Sequence, residues 1–216
     1  PRCHRPFASP SALTYSPTHE CLDCRTREPY YSQVWAPYAY CSPLQDAIAL
    51  FKYRGKVALA DALGVLLLQA IPDRLDVDVL MPIPLHPTRL RQREFNQSLL
   101  IADRIGSARR LPVSYRNLIR TVDTAPQTSL PRAARLQNLR KAFAIRQPKE
   151  ITGARILLVD DVFTTGTTAS ECARVLLTAG AKQVAVLALA RSADAGMVPD
   201  TWLPPSTLNQ TEFQRA

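Results

Sequence analysis

Ile156-Leu-Leu-Val-Asp160-Asp161-Val-Phe-Thr164-Thr165-Gly166-Thr167-Thr168 is the stretch on which the reading of this chain turns. Ile156 to Val159 is short, branched and apolar without alternation, the pattern of a strand buried on both faces. Two adjacent carboxylates follow, then a turn of small hydroxyl residues around a glycine. Ala169, Cys172, Ala173 and Leu176 then recur at helical spacing, and Gly180 supplies a helix stop. Gln183 to Ala190 reads as a second buried strand. Strand, crossover helix and strand predict a parallel α/β sheet, with the acidic pair and the Thr-rich turn at a strand's carboxyl end.

That position has chemical consequences. A turn entering a helix presents backbone N–H groups and the positive end of the helix dipole, a natural seat for phosphate. Thr164, Thr165, Thr167 and Thr168 add hydroxyl donors, and Gly166 lets the backbone approach a ligand closely. Asp160 and Asp161 cannot serve the phosphate itself. They suit ribose hydroxyls, or a Mg²⁺ ion held through oxygen. The bland alternative is a capped strand-to-helix turn, in which Asp and Thr serve only turn chemistry.

At 216 residues the chain can bury one substantial core plus a small appendage. No apolar run is long enough to span a membrane and no signal-peptide pattern opens the sequence. Five cysteines, mostly near the amino terminus, do not suit a disulfide framework and lead to the expectation of a cytoplasmic protein with a metal site. The first residue is Pro1, so the sequence is expected to lack its native start. A net charge of +9 favours anionic partners. Between Arg89 and Arg140 there are eleven arginines against Glu94, Asp103 and Asp123. This bias leans toward an anion-binding surface, with a solvated basic face as the alternative.

Cys3, Cys21 and Cys24 stand near the amino terminus, with Cys21-Leu-Asp-Cys24 forming a C-x2-C knuckle. Structural zinc takes four ligands, usually from two such knuckles. A cysteine preceding Pro1 would complete the set, His4 and His19 are weaker substitutes, and incidental cysteines are the alternative. Trp35 and Tyr38 are expected to pin this knuckle onto the main domain. Cys41 and Cys172 read as small buried apolar groups.

Ser42, Pro43 and Gln45 carry the signature of a helix start. Leu44, Ala47, Ile48 and Phe51 form its buried stripe, and Gly55 ends it. Lys52, Tyr53, Arg54 and Lys56 at its end suit the helix dipole. A second helix covers about 57–71. A strand at 77–81 leads into Pro82-Ile-Pro84-Leu-His86-Pro-Thr-Arg89-Leu-Arg91-Gln-Arg93, a proline-bounded loop that could clamp pyrophosphate through guanidinium forks. A helix at about 95–105 follows. Residues 120–143 are polar, cationic and poorly periodic at first, as an active-site lid would be. After Ser192 the chain turns irregular and reads as a tail.

The acidic pair and Thr-rich loop resemble those of the type I phosphoribosyltransferases. The resemblance narrows to the ComF family on several further motifs. These are Phe51-Lys-Tyr-Arg-Gly55, Pro82-Ile-Pro84-Leu-His86-Pro, Arg93-Glu-Phe95-Asn96-Gln97, and Gln127-x2-Leu130-x4-Arg135-x2-Asn138 with Lys141-Ala-Phe143, together with the cysteine knuckle. This resemblance implies three regions. Residues 1–42 form a small, truncated zinc-ribbon-like knuckle with Cys3, Cys21 and Cys24 on structural Zn²⁺. Residues 43–192 form an α/β, parallel-sheet phosphoribosyltransferase-like domain, and 193–216 a tail.

The resemblance also implies binding of phosphoribosyl pyrophosphate, or a ribose phosphate, with Mg²⁺. Asp160 and Asp161 would face the ribose hydroxyls, and Thr164, Thr165, Gly166, Thr167 and Thr168 the 5′-phosphate. From the residues themselves, the Arg89 to Arg93 loop is expected to stabilise the leaving pyrophosphate, with Arg89 and Arg91 as its candidate catalytic residues. If there is turnover, it displaces pyrophosphate at the anomeric carbon; no general base stands out. The rival reading is an accessory protein of competence that binds single-stranded DNA or a DNA-translocation helicase at the inner face of the membrane. Arg132, Arg135 and Arg140 are its candidate DNA or lid residues, and Tyr53, Phe95, Tyr115 and Phe143 could stack bases. Glu94 stands where the family usually has glycine.

Overall fold

A computed structural model describes residues 2, 21–26, 28–53, 55–123 and 141–192. Cys3, the segment holding Arg132, Arg135 and Arg140, and the tail from residue 193 lie outside the described residues.

The acidic-pair strand is the axis of the molecule. This strand, β6 (Arg155–Phe163), runs through both carboxylates before the chain turns, four residues further than its apolar run. It pairs in parallel with β3 (Val79–Pro82) on one side and β7 (Gln183–Arg191) on the other. β7 in turn carries β1 (Val34–Trp35) and β2 (Tyr38–Ala39), both parallel to it. These two short strands follow one another along the same edge, with Ala36-Pro37 between them, because proline has no N–H for the ladder. Residues 34–39 therefore belong to the main sheet, although they fall before the boundary drawn at residue 42. Trp35 and Tyr38 are strand residues here, and the Tyr38 hydroxyl donates to the Leu66 carbonyl (3.0 Å).

Helices cover both faces, which is why the strands could be apolar without alternation. On one face pack α2 (Leu44–Tyr53), α3 (Leu59–Ala70) and α5 (Gln97–Arg109), against Leu157 and Val159 of β6 and Leu187 and Leu189 of β7. Leu44, Ala47, Ile48 and Phe51 are the buried residues of α2, as the stripe predicts. The Ser42 hydroxyl goes to the Asp46 carboxylate, so the helix start uses a side-chain contact other than the expected capping box. On the other face α6 (Thr167–Thr178) buries Ala169, Cys172, Ala173 and Leu176 against Ile156 and Leu158. The antiparallel pair β4 (Leu118–Arg120) and β5 (Phe143–Ile145) flanks it through Leu118 and Phe143. The fold is an α/β parallel sheet, as expected.

β6 changes side at the acidic pair. Leu157 and Val159 share a face with Val162, whereas Ile156 and Leu158 share the other with Phe163. Strict alternation would put them the opposite way round. The Asp161 N–H is satisfied by Asp160 Oδ1 at 2.9 Å.

Candidate functional site

Beyond the carboxyl end of β6 lies a cleft of about 1160 Å³. The Asp160–Asp161 pair, the Thr164–Thr168 turn and Arg89 all line it. The turn is built by close packing. Gly166 sits at φ 73°, and a Cβ there would come within 2.6 Å of Phe163 Cζ and 2.7 Å of the Tyr31 hydroxyl. It stands at the N-cap of α6, so no side chain of its own covers the first-turn N–H groups. The Thr165 and Thr167 hydroxyls are 2.8 Å apart, tightening the loop. A dipole end, backbone donors and hydroxyls thus meet on one wall, the chemistry of an oxyanion seat.

The acids do not point into the apolar interior. Asp160 Oδ1 accepts from the Ser98 hydroxyl at 3.2 Å. Burial, and then the neighbouring Asp161 charge, push the Asp160 carboxyl well above its ordinary range. Asp161 is itself 7 % exposed and forms an ion pair with Lys52, whose Nζ lies 2.9 Å from Oδ1. Burial alone would lower the Lys52 ammonium, but its attraction to Asp161, the hydrogen bond between them and the charge of Asp160 outweigh this and hold it raised. Lys52 therefore acts on the acidic pair as well as sitting at a helix end. Its place at the terminus of α2 concealed this, since a lysine there is explained by the dipole alone.

The basic wall differs from its expected form. Pro84 to Arg93 is not an open loop: residues Pro87–Arg93 form a short helix, α4, with His86 Nδ1 accepting from the Thr88 N–H. A helix selects among its arginines. Arg89, Gln92 and Arg93, at spacings of three and four, line the cleft, while Arg91 is exposed on another face. Of the expected clamp, Arg89 and Arg93 line the cleft and Arg91 does not. The Arg93 guanidinium lies over the Tyr53 ring, 5.1 Å from the centroid, and donates to Gln97 Oε1 at 3.3 Å. Glu94 ends the helix in the left-handed region, φ 68°, where glycine fits without strain.

Two further arginines reach the cleft from distant parts of the chain. Arg120 on β4 is 8 % exposed and Arg191 at the end of β7 is 5 % exposed. Burial first, then the like charge of Arg89, lower the Arg120 guanidinium. Arg191 lies over the Phe163 ring at 5.1 Å. No local motif marks either residue, because only the sheet brings them to the site.

Cys21 and Cys24 are both buried beside the same cleft, in and before the short helix α1 (Leu22–Thr26). The Cys24 N–H donates to the Cys21 carbonyl at 3.0 Å, the compact turn that C-x2-C spacing implies. Among the described residues no group of three or more His, Cys, Asp or Glu is placed to hold a metal. Burial pushes the Cys172 thiol up, as befits a core residue. No helix among the described residues is long and apolar enough to cross a membrane.

The phosphoribosyl transferase domain model matches residues 98–210. The chain is 30% identical over 190 residues to "Competence protein F" of Haemophilus influenzae, covering 84% of this chain and 82% of that protein. It is 32% identical over 178 residues to "DNA utilization protein YhgH" of Escherichia coli K12, with 80% and 78% covered. To "Competence protein ComFC" of Bacillus subtilis it is 31% identical over 160 residues, with 72% and 62% covered. The acidic pair, the Thr-rich turn and these likenesses together place the chain in the phosphoribosyltransferase domain family, as a member of its ComF group.

Proposed function

We propose that the cleft binds a phosphoribosyl group, in phosphoribosyl pyrophosphate or a ribose phosphate, in the service of DNA uptake and use. One observation carries this reading. The acidic pair, the Gly166 turn and a wall of arginines face one cavity, so a diol, a monophosphate and a diphosphate each meet complementary chemistry. The turn at α6 would take the 5′-phosphate, Asp160 and Asp161 the ribose hydroxyls, and Arg89, Arg93 and Arg120 the pyrophosphate. Mg²⁺ is proposed to enter on the pyrophosphate. Where turnover occurs, a nucleophile forms a bond to the anomeric carbon as the bond to pyrophosphate breaks and its electron pair leaves with the diphosphate. The arginine wall would stabilise that leaving charge.

The names of the relatives, competence and DNA utilization, support the cellular setting. Zinc on Cys3, Cys21 and Cys24 is proposed as a structural brace for the segment beside the cleft. Calorimetric titration with phosphoribosyl pyrophosphate in Mg²⁺ tests the central reading. Micromolar binding that disappears in Asp160→Ala/Asp161→Ala is expected, and undiminished binding in that variant would remove the diol role.

A second reading, direct contact with single-stranded DNA, is favoured by an exposed pair away from the cleft. Tyr115 is 52 % exposed and the Arg116 guanidinium lies 5.2 Å from its ring centroid, an arrangement that offers a stacking surface and a charge together. Binding to the helicase of DNA translocation is proposed on the family relationship alone.

A further inference from the structure

We infer that Lys52 is the resident cation of the acidic pair, so that the protein holds the ribose diol without a metal ion of its own. The inference rests on the phosphoribosyl reading of the cleft, and deepens it. Two adjacent carboxylates at the edge of a core are a typical invitation to Mg²⁺, which needs near-octahedral oxygen ligation. Here one oxygen of each carboxylate is already engaged. Asp161 Oδ1 faces the Lys52 ammonium at 2.9 Å, with the two side chains only 10% and 18% exposed. Asp160 Oδ1 takes the Ser98 hydroxyl and the Asp161 N–H. Among the described residues these contacts fall on Oδ1 of each carboxylate, leaving Oδ2 of each as an acceptor for a hydroxyl.

A divalent ion between the acids would stand beside a fixed ammonium and meet its repulsion at short range. Lys52 is well held for this task. It sits in the last turn of α2, whose Leu44, Ala47, Ile48 and Phe51 are locked in the core, and Phe51 packs on Phe95 with centroids 5.6 Å apart. The ammonium thus neutralises one of two charges permanently, and a metal that arrives on a pyrophosphate is needed for that group alone.

Ribose 5-phosphate and Mn²⁺ separate the possibilities, since the sugar phosphate has no pyrophosphate to demand a metal. Wild-type protein, Lys52→Met and Lys52→Arg are titrated with ribose 5-phosphate in excess EDTA and in 5 mM Mg²⁺ (a concentration about that needed to saturate weak sites). Wild type and Lys52→Arg should bind equally in both conditions. Lys52→Met should bind in Mg²⁺ but lose tenfold or more in EDTA. Equal loss of Lys52→Met in both buffers means a merely structural ion pair and overturns the inference, as does wild-type binding that requires Mg²⁺.

Paramagnetic relaxation by Mn²⁺ on the ligand-free protein decides the matter independently. Wild type should show no site tighter than millimolar, and Lys52→Met should acquire one. A micromolar Mn²⁺ site in wild type that Asp161→Asn abolishes overturns the inference even if Lys52→Met does not fold. If ribose 5-phosphate fails to bind wild type under any condition, the phosphoribosyl reading fails, and the Mn²⁺ result still stands or falls by itself.

Discussion

The Tyr31 hydroxyl lies 2.7 Å from the point where a Cβ on Gly166 would stand. The contact joins a residue ahead of the first sheet strand to the apex of the Thr-rich turn. Tyr31 also meets the Phe163 ring edge-on, with centroids 5.9 Å apart. The turn is therefore shaped from behind by two aromatic rings.

Gly166→Ala should accordingly be costly twice over. A left-handed φ costs a non-glycine residue on the order of 1 kcal/mol, and the overlap with Phe163 and Tyr31 adds about 1–3 kcal/mol. Gly153→Ala is the control, because Gly153 has φ 75° but open space around its Cβ position. Urea denaturation should show the Gly166 variant less stable than the Gly153 variant by about 1–3 kcal/mol. Equal midpoints would mean that the turn is not packed as described.

Asp160→Asn should raise the stability of the ligand-free protein near neutral pH. The folded state holds the Asp160 carboxyl above its unfolded value, so it binds the proton more readily than the unfolded chain does. The penalty is absent below the unfolded value, near pH 4, and grows as pH rises toward the folded value. The advantage of the asparagine should follow that window, near zero at pH 4 and rising to about 2–4 kcal/mol at pH 7.5. Thermal unfolding at several pH values measures it, and a pH-independent difference would contradict the burial of Asp160. The same variant should weaken ribose 5-phosphate binding, an activity–stability trade-off.

On the basic wall, pyrophosphate competition should rank the arginines by helix face. Arg89→Ala and Arg93→Ala should each weaken pyrophosphate by about tenfold, the scale of a charge-assisted hydrogen bond. Arg91→Ala should leave it within twofold. A loss at Arg91 equal to that at Arg89 would mean that the short helix unwinds when the anion binds.

Glu94→Gly should tighten pyrophosphate binding several-fold, most at low salt, since it removes a carboxylate from the rim of an anion site. Glu94→Gln separates the two contributions. It should recover most of the affinity while keeping the strain of φ 68°. If only the glycine variant improves, backbone geometry rather than charge governs the rim.

Single-stranded DNA binding, where it occurs, should weaken steeply with salt and drop several-fold in Tyr115→Ala, the loss expected of one stacked base. Charge reversal at Arg132, Arg135 and Arg140 should flatten the salt slope. Gel-shift titrations at 50 and 200 mM salt (about the range over which phosphate contacts are screened) report both effects, and a flat response in wild type would exclude direct phosphate contacts.

Local pattern was enough to read the sheet strands at 156, 183 and 77, the three helices that cover one face, and the turn that opens α6. Each depends on apolar spacing, a glycine or a cap within a few residues, and such signals are complete in the sequence. Position along a strand also placed Asp160 and Asp161 beside the Thr-rich turn. What the tertiary structure alone decided is who else attends the site. Lys52 reaches Asp161 across more than a hundred residues of chain, Arg120 and Arg191 arrive on separate strands, and Tyr31 braces the turn from the far edge. No spacing rule covers these, since their proximity comes from the order of strands in the sheet. The choice of Arg93 over Arg91 has a nearer cause: seven residues that read as a proline-bounded loop wind into a helix, and a helix sorts its side chains by angle rather than by order.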